Sequence, residues 1–184
     1  MSRIRPLTRE TATADQAQAL AKIEAKMGRV PNVLATLAHS PAALGTYLAA
    51  TAAIAEGSLD AKARERVALA IATANQCDYC ASAHTQIGRQ AGLTSEEIEQ
   101  ALHAQADDPK TQALLRFADA VVTERGKVSD ATLNAFKAAG WSDGAVFEVV
   151  ALVALNTLTN YANHIAETAI DFPAVLAPAH AQAA

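Results

Sequence analysis

The fifteen residues from Asn75 to Arg89, NQCDYCASAHTQIGR, crowd three reactive side chains into one short stretch. Cys77 and Cys80 are the two cysteines of the chain, and they form one Cys-x-x-Cys. If the chain turns helical near Asp78, Cys80 and His84 become i, i+4 neighbours on one face, with Cys77 at the helix start. Free N–H groups and the helix dipole at that end favour a thiolate. His84 is then placed to accept the thiol proton, or to stabilise the anion as imidazolium. A second sulfur within reach resolves an oxidised first one as a disulfide. In a reducing compartment such a pair points to redox chemistry or metal binding more than to a structural bridge.

Glu65 lies twelve residues before Cys77. If the helices on either side of the cysteines pack antiparallel, a buried carboxylate there orients His84 through its other nitrogen. By charge pattern alone Glu65 reads differently, as one more solvated side chain in the run Lys62-Ala63-Arg64-Glu65-Arg66. Arg64, Arg66 and Arg89 read as a solvated face. Two bland readings of the cysteines stay open: a pair of small buried hydrophobes, or a zinc site. For zinc, His84 is a third ligand and His164 or Glu65 a fourth, although the usual spacings pair two such clusters and this chain has one. His164 divides between a supporting role near the site and a polar core or interface position. His39, His103 and His180 read as surface or tail, and Trp141 as core.

Positioning these groups falls to helices. A quarter of the 184 residues, 46, are Ala, and aromatics make up only 4%. Ala is the best helix former and a poor strand residue, so the composition predicts closely packed helices. Helix starts and stops recur along the whole chain. Ala14–Met27 is closed by Gly28; Ser40-Pro41 opens a helix ending near Gly57; another runs from Lys62 to about Asn75. Thr94 and Glu97 form a capping box. Asp108-Pro109, Ser129 and Ser142 open the last three helices. Val30–Ala38, with Pro31 inside it, reads as a connector or short helix. No alternating strand pattern survives. The chain reads as a single domain with its core at about 14–170, and 173–184 as an extended, loosely ordered tail.

Net charge is −4, from 15 basic and 19 acidic residues. That mild excess offers no footprint for nucleic acid or an anionic membrane. The most apolar stretch, Val146 to Leu158, is interrupted by Glu148 and is too short to span a bilayer. No secretory signal is evident at the N-terminus, and the expected location is the cytoplasm. A quarter-Ala subunit with few aromatics has a thin core of its own, which predicts a homo-oligomer.

Glu65, eleven intervening residues, then Cys77-x-x-Cys80-x-x-x-His84 resembles the signature of AhpD-like alkyl hydroperoxidases, within the wider carboxymuconolactone decarboxylase family. The segment NYANHIAETAIDFP, Asn160 to Pro173, is similar to the C-terminal stretch of its peroxidase-related branch. The resemblance implies an all-α subunit of packed helical hairpins, assembled into trimers or hexamers. It implies reduction of a hydroperoxide through the two thiols, without metal or cofactor. Cys80 then attacks the peroxide, Cys77 forms the disulfide with it, and Glu65 and His84 relay protons. A dithiol donor, a lipoylated or thioredoxin-like protein, re-reduces the pair. The best-known members carry a second His inside the Cys-x-x-Cys, where this chain has Tyr79. The rival readings are a decarboxylase or lyase that uses His84 and Glu65 on a small carboxylic acid, and a non-catalytic redox-sensing or zinc-binding helical module.

Overall fold

In the computed structural model, which describes residues 2–179, the chain is all-α. Its helices are α1 (Ala14–Met27), α2 (Asn32–Leu37), α3 (Pro41–Ala55), α4 (Ala61–Ala74), α5 (Asp78–Gln90), α6 (Ser95–Leu102), α7 (Pro109–Thr123), α8 (Asp130–Ala138) and α9 (Asp143–Ala166). The caps read from the sequence are those observed. Ser40, Thr94, Asp108, Ser129 and Ser142 each accept a hydrogen bond from a backbone N–H of the first turn. Thr13 and Asp60 do the same for α1 and α4.

Helix α4 is the centre of the fold and touches α5, α6, α7 and α9. It is buried on every face along one stretch, from Val67 to Thr73. Four of the buried residues are Ala, and small side chains on every face let neighbouring helices approach from several directions. Gly88 serves the same end on α5. A Cβ there would stand 3.1 Å from the Leu93 side chain and 3.8 Å from Glu65 Cβ, so the missing methyl lets α5 lie close against α4. Large side chains gather at the other end of the core. Phe117 packs on Phe136 with ring centroids 4.4 Å apart, and Phe136 stacks on Trp141. Phe136 is the one side chain that α8 buries completely.

Three readings of the sequence need correction. The 173–184 tail is not loosely ordered over its described part. Val175, Ala177 and Pro178 hydrogen-bond to Ser82, Asp78 and Gln76, which straps the segment across the start of α5. His180 lies outside the described residues. Arg64 and Arg66 are not a solvated face: both are partly buried, Arg64 donating to the Leu59 carbonyl and Arg66 to Glu97. Arg89 is exposed. Lastly, α9 continues through Glu148 and the polar residues beyond Leu158 for 24 residues, long and apolar enough by length and composition to cross a membrane. Here it packs against α2, α3, α4, α5 and α7.

Because Phe136 anchors α8 almost alone, Phe136→Ala is expected to cost about 3–5 kcal/mol of stability, read as a lower urea midpoint. An unchanged midpoint would show that α8 does not depend on this ring.

Candidate active site

The turn between α4 and α5 sets the position of the first sulfur. Asn75 ends α4, Gln76 takes a left-handed conformation at φ 54°, and the Cys77 N–H reaches back to the Ala72 carbonyl at 2.8 Å. The Gln76 N–H meanwhile reaches Thr73 at 2.9 Å. This pair of bonds is a Schellman closure. Glycine usually fills the left-handed position, since a side chain costs about 1 kcal/mol there. In this chain the Gln76 amide bonds to the Thr73 and Pro178 carbonyls. Cys77, the residue that completes the closure, is also the N-cap of α5, and its sulfur accepts the backbone N–H of Cys80 at 3.3 Å.

The two sulfurs stand 2.8 Å apart, with the Cys77 thiol donating to Cys80. Both cysteines are free and buried, Cys80 being 3% exposed. Their titrations separate for that reason. The bond to Cys80, and then burial, push the Cys77 thiol far up. The same bond lowers Cys80 against the opposing effect of burial. A hydrogen bond from Asn163, and the nearby Asn160 and Thr159 side chains, also favour the Cys80 anion. The contact thus favours the anion on Cys80 over the anion on Cys77.

The amides come from α9. Asn163 Nδ2 lies 3.3 Å from Cys80 Sγ. Asn160 is fully buried; its carbonyl oxygen accepts from Asn75 at 2.8 Å, and its amide N–H group is buried without a hydrogen-bond partner. Asn156, Thr159, Asn160 and Asn163 recur at i, i+3, i+4 and i+7, a buried polar stripe on a helix otherwise apolar. Sequence reasoning missed this stripe, though its helical spacing within so apolar a segment is the signal that would have found it.

Helix α4 supplies the carboxylate. Glu65 Oε2 lies 2.8 Å from His84 Nδ1, across the α4–α5 hairpin. An ionised carboxylate only accepts, so Nδ1 carries the hydrogen and Nε2 is the nitrogen left for proton transfer. Burial works against the imidazolium, but the charge and hydrogen bond of Glu65, with smaller effects from Cys77 and Asn156, raise the His84 pKa on balance. Cys80 and His84 line one cavity of about 380 Å³, walled also by Met27, Leu34, Tyr47 and Tyr79. An adjoining cavity of about 360 Å³ shares His84, Tyr47 and Leu34, and extends past Glu65 between Ile54, Leu152 and Leu155.

Tyr79 does not occupy the place of a second relay histidine. Its hydroxyl donates to Asp171 at 2.7 Å and accepts the Val33 N–H at 3.1 Å, joining α5 to α2 and to the segment after α9. Among the described residues no three His, Cys, Asp or Glu side chains converge as a metal-binding group. His84 is turned to Glu65, and His164 to the Gln76 carbonyl. His39 and His103 are exposed and bond elsewhere, to the Arg5 carbonyl and Glu99.

Known proteins resemble this chain in part of its sequence and in its fold. Residues 40–123, which span α3 to α7 with both cysteines, Glu65 and His84, match the carboxymuconolactone decarboxylase family. A curated relative, an uncharacterized protein of Haemophilus influenzae, is 51% identical over 47 residues, a quarter of this chain. The chain spans less than half the length of the curated relatives it matches, 42% in that case and 48% in another. The fold is covered far more fully by solved structures. The alkylhydroperoxidase AhpD core of a peroxidase-related protein from Ralstonia eutropha JMP134 superposes with a TM-score of 0.82 and 28% identity, over 92% of both chains. A peroxidase-related protein from Silicibacter sp. TM1040 gives 0.78 at 22% identity, over 90% of this chain and 91% of its own. The match over residues 40–123 and the tertiary fold thus both liken the chain to AhpD-like proteins of the carboxymuconolactone decarboxylase family.

Proposed function

We propose that the protein is a thiol-dependent peroxidase that reduces organic hydroperoxides through Cys77 and Cys80, with His84 and Glu65 relaying protons. The observation that carries this reading is the 2.8 Å contact between the two sulfurs at the start of α5, with Cys80 facing a mostly apolar cavity. Family and fold support an enzyme of this general kind, peroxidase-related or decarboxylase-like. The paired thiols favour the peroxidase.

In the proposed cycle the Cys80 thiolate attacks the terminal oxygen of R–O–OH. The O–O bond breaks, and the leaving alkoxide takes a proton from His84 to depart as an alcohol. Cys80 is left as a sulfenic acid. Cys77 then attacks that sulfur and expels water, closing the disulfide, and a dithiol donor such as a lipoylated or thioredoxin-like protein restores both thiols. The part-buried Glu65–His84 contact raises the His84 pKa and turns the imidazole for the first step. The Asn163 amide holds the anion before attack. The cytoplasm, a reducing compartment, would keep the pair ready for peroxide.

The same reading includes a homo-oligomer, a trimer or hexamer. Helix α3 is free of charged residues, yet of its fifteen residues it buries only Leu44. Beside it α9 exposes Phe147 (71%), Val150, Tyr161 and Ile165. An uncovered apolar face of this extent is what an interface between copies would bury.

Three outcomes follow. Hydroperoxide consumption with a dithiol reductant falls to the uncatalysed background in Cys80→Ser, while Cys77→Ser still completes one turnover and stops at the sulfenic acid. Equal rates for wild type and Cys80→Ser would overturn the reading. In Glu65→Gln, loss of the carboxylate leaves burial to dominate, so the His84 pKa, followed by NMR, drops below its ordinary value. Light scattering of the wild type at micromolar concentration gives an oligomer, and Phe147→Asp shifts it toward monomer.

A further inference from the structure

The two sulfurs line different cavities, which share Tyr79 and Asn163. Cys80 lines the cavity it shares with His84. Cys77 lines a separate cleft of about 420 Å³, formed by the α4–α5 turn, the last turn of α9 and the residues just after it. Gln76, Asp78, His164, Glu167 and Ile170 form its walls. Asn163 borders both spaces. Its amide N–H group holds Cys80, and its carbonyl oxygen is buried with no hydrogen-bond partner. The Cys77–Cys80 pair and Asn163 therefore form the partition between two compartments.

His164 gives the second compartment a base. Its Nε2 lies 3.1 Å from the Gln76 carbonyl oxygen. A carbonyl only accepts, so Nε2 carries the hydrogen and the lone pair of the neutral ring is on Nδ1. The ring is exposed and lies over Tyr161, one turn earlier on α9. The charged groups facing the cleft are Asp78, whose carboxylate accepts the Ala177 N–H, and Glu167. Both are acidic, so the cleft suits a neutral dithiol better than an anionic one.

We propose that this cleft is the reductant site: a small neutral dithiol, or one carried on a slender arm, enters beside His164 and attacks Cys77, while hydroperoxide meets Cys80 from the other cavity. The proposal rests on the thiol-peroxidase reading above. His164 takes the proton of one donor thiol. The resulting thiolate bonds to Cys77 Sγ, the disulfide breaks, and its electron pair leaves on Cys80 Sγ, which the α9 amides already stabilise. The donor's second thiol then attacks the donor sulfur of the mixed disulfide. The donor departs as its own disulfide, Cys77 takes a proton back, and Cys80 is again the anion. Oxidant and reductant never compete for one entrance, and the leaving sulfur of the reduction is the nucleophile of the next oxidation.

The two half-reactions can be timed separately. Protein oxidised with diamide, which needs no peroxide chemistry, is reduced by dithiothreitol, and reduced protein is oxidised by cumene hydroperoxide. Ile170→Trp narrows the cleft and His164→Ala removes the base. Each is expected to slow the dithiothreitol step about tenfold while changing the hydroperoxide step less than twofold. Met27→Trp, at the other cavity, should do the reverse. Equal slowing of both steps by the cleft variants, or an unaltered dithiothreitol step, overturns the two-cavity arrangement. If the wild type is not oxidised by hydroperoxide, the peroxidase reading fails while the dithiothreitol arm still reports on the cleft.

Discussion

Cys77 closes one helix and opens the next, and the site is organised around that double duty. Its backbone N–H ends α4 by bonding to Ala72, and its side chain begins α5 by accepting the Cys80 N–H. A turn this short leaves the cap sulfur no other place than against the first turn of α5, where Cys80 follows three residues on. The 2.8 Å sulfur contact follows from this cap, and the contact in turn divides the two titrations. A longer connection would free Cys77 from the cap and break that contact. The left-handed Gln76 is the conformational cost of this compression.

The anion so produced needs partners in a place with little water. Helix α9 provides them at the expense of burying polar side chains among apolar ones. Asn75 fixes the orientation of Asn160 by donating to its carbonyl, so the residue that ends α4 also orients a side chain near the second sulfur. Asn156 extends the stripe to His84. The same helix thus serves thiol and imidazole from successive turns of one face, while its opposite face is exposed and apolar. Its composition resembles that of a membrane span because it meets two partly apolar environments, the core and an open surface, with a buried polar strip between them.

Glu65 shows how strongly packing overrides charge pattern. In a run of alternating Lys and Arg it has every appearance of a solvated carboxylate. Helix α4 is surrounded by its neighbours, and Gly88 lets α5 come close enough for the carboxylate to reach His84 at 2.8 Å. Arg66 and Arg64 are drawn inward by the same crowding and find Glu97 and the Leu59 carbonyl. Tyr79 in turn is spent on holding α2 and the segment after α9 against α5.

The all-α class, the helix boundaries and their caps were legible in the sequence because helix propensity, capping hydrogen bonds and left-handed glycines act over a few residues. The i, i+4 placement of Cys80 and His84 was legible for the same reason, and so was Cys77 at a helix start. What joins residues far apart in sequence was decided only in the tertiary structure: the reach of Glu65 to His84 and the strap of 173–179 across α5. The placing of Asn160 and Asn163 beside Cys80 belongs with these, as does the opening of the two sulfurs onto different cavities. Such contacts depend on how closely helices approach and at what rotation, and those are settled by the packing of small side chains in the core rather than by any local rule.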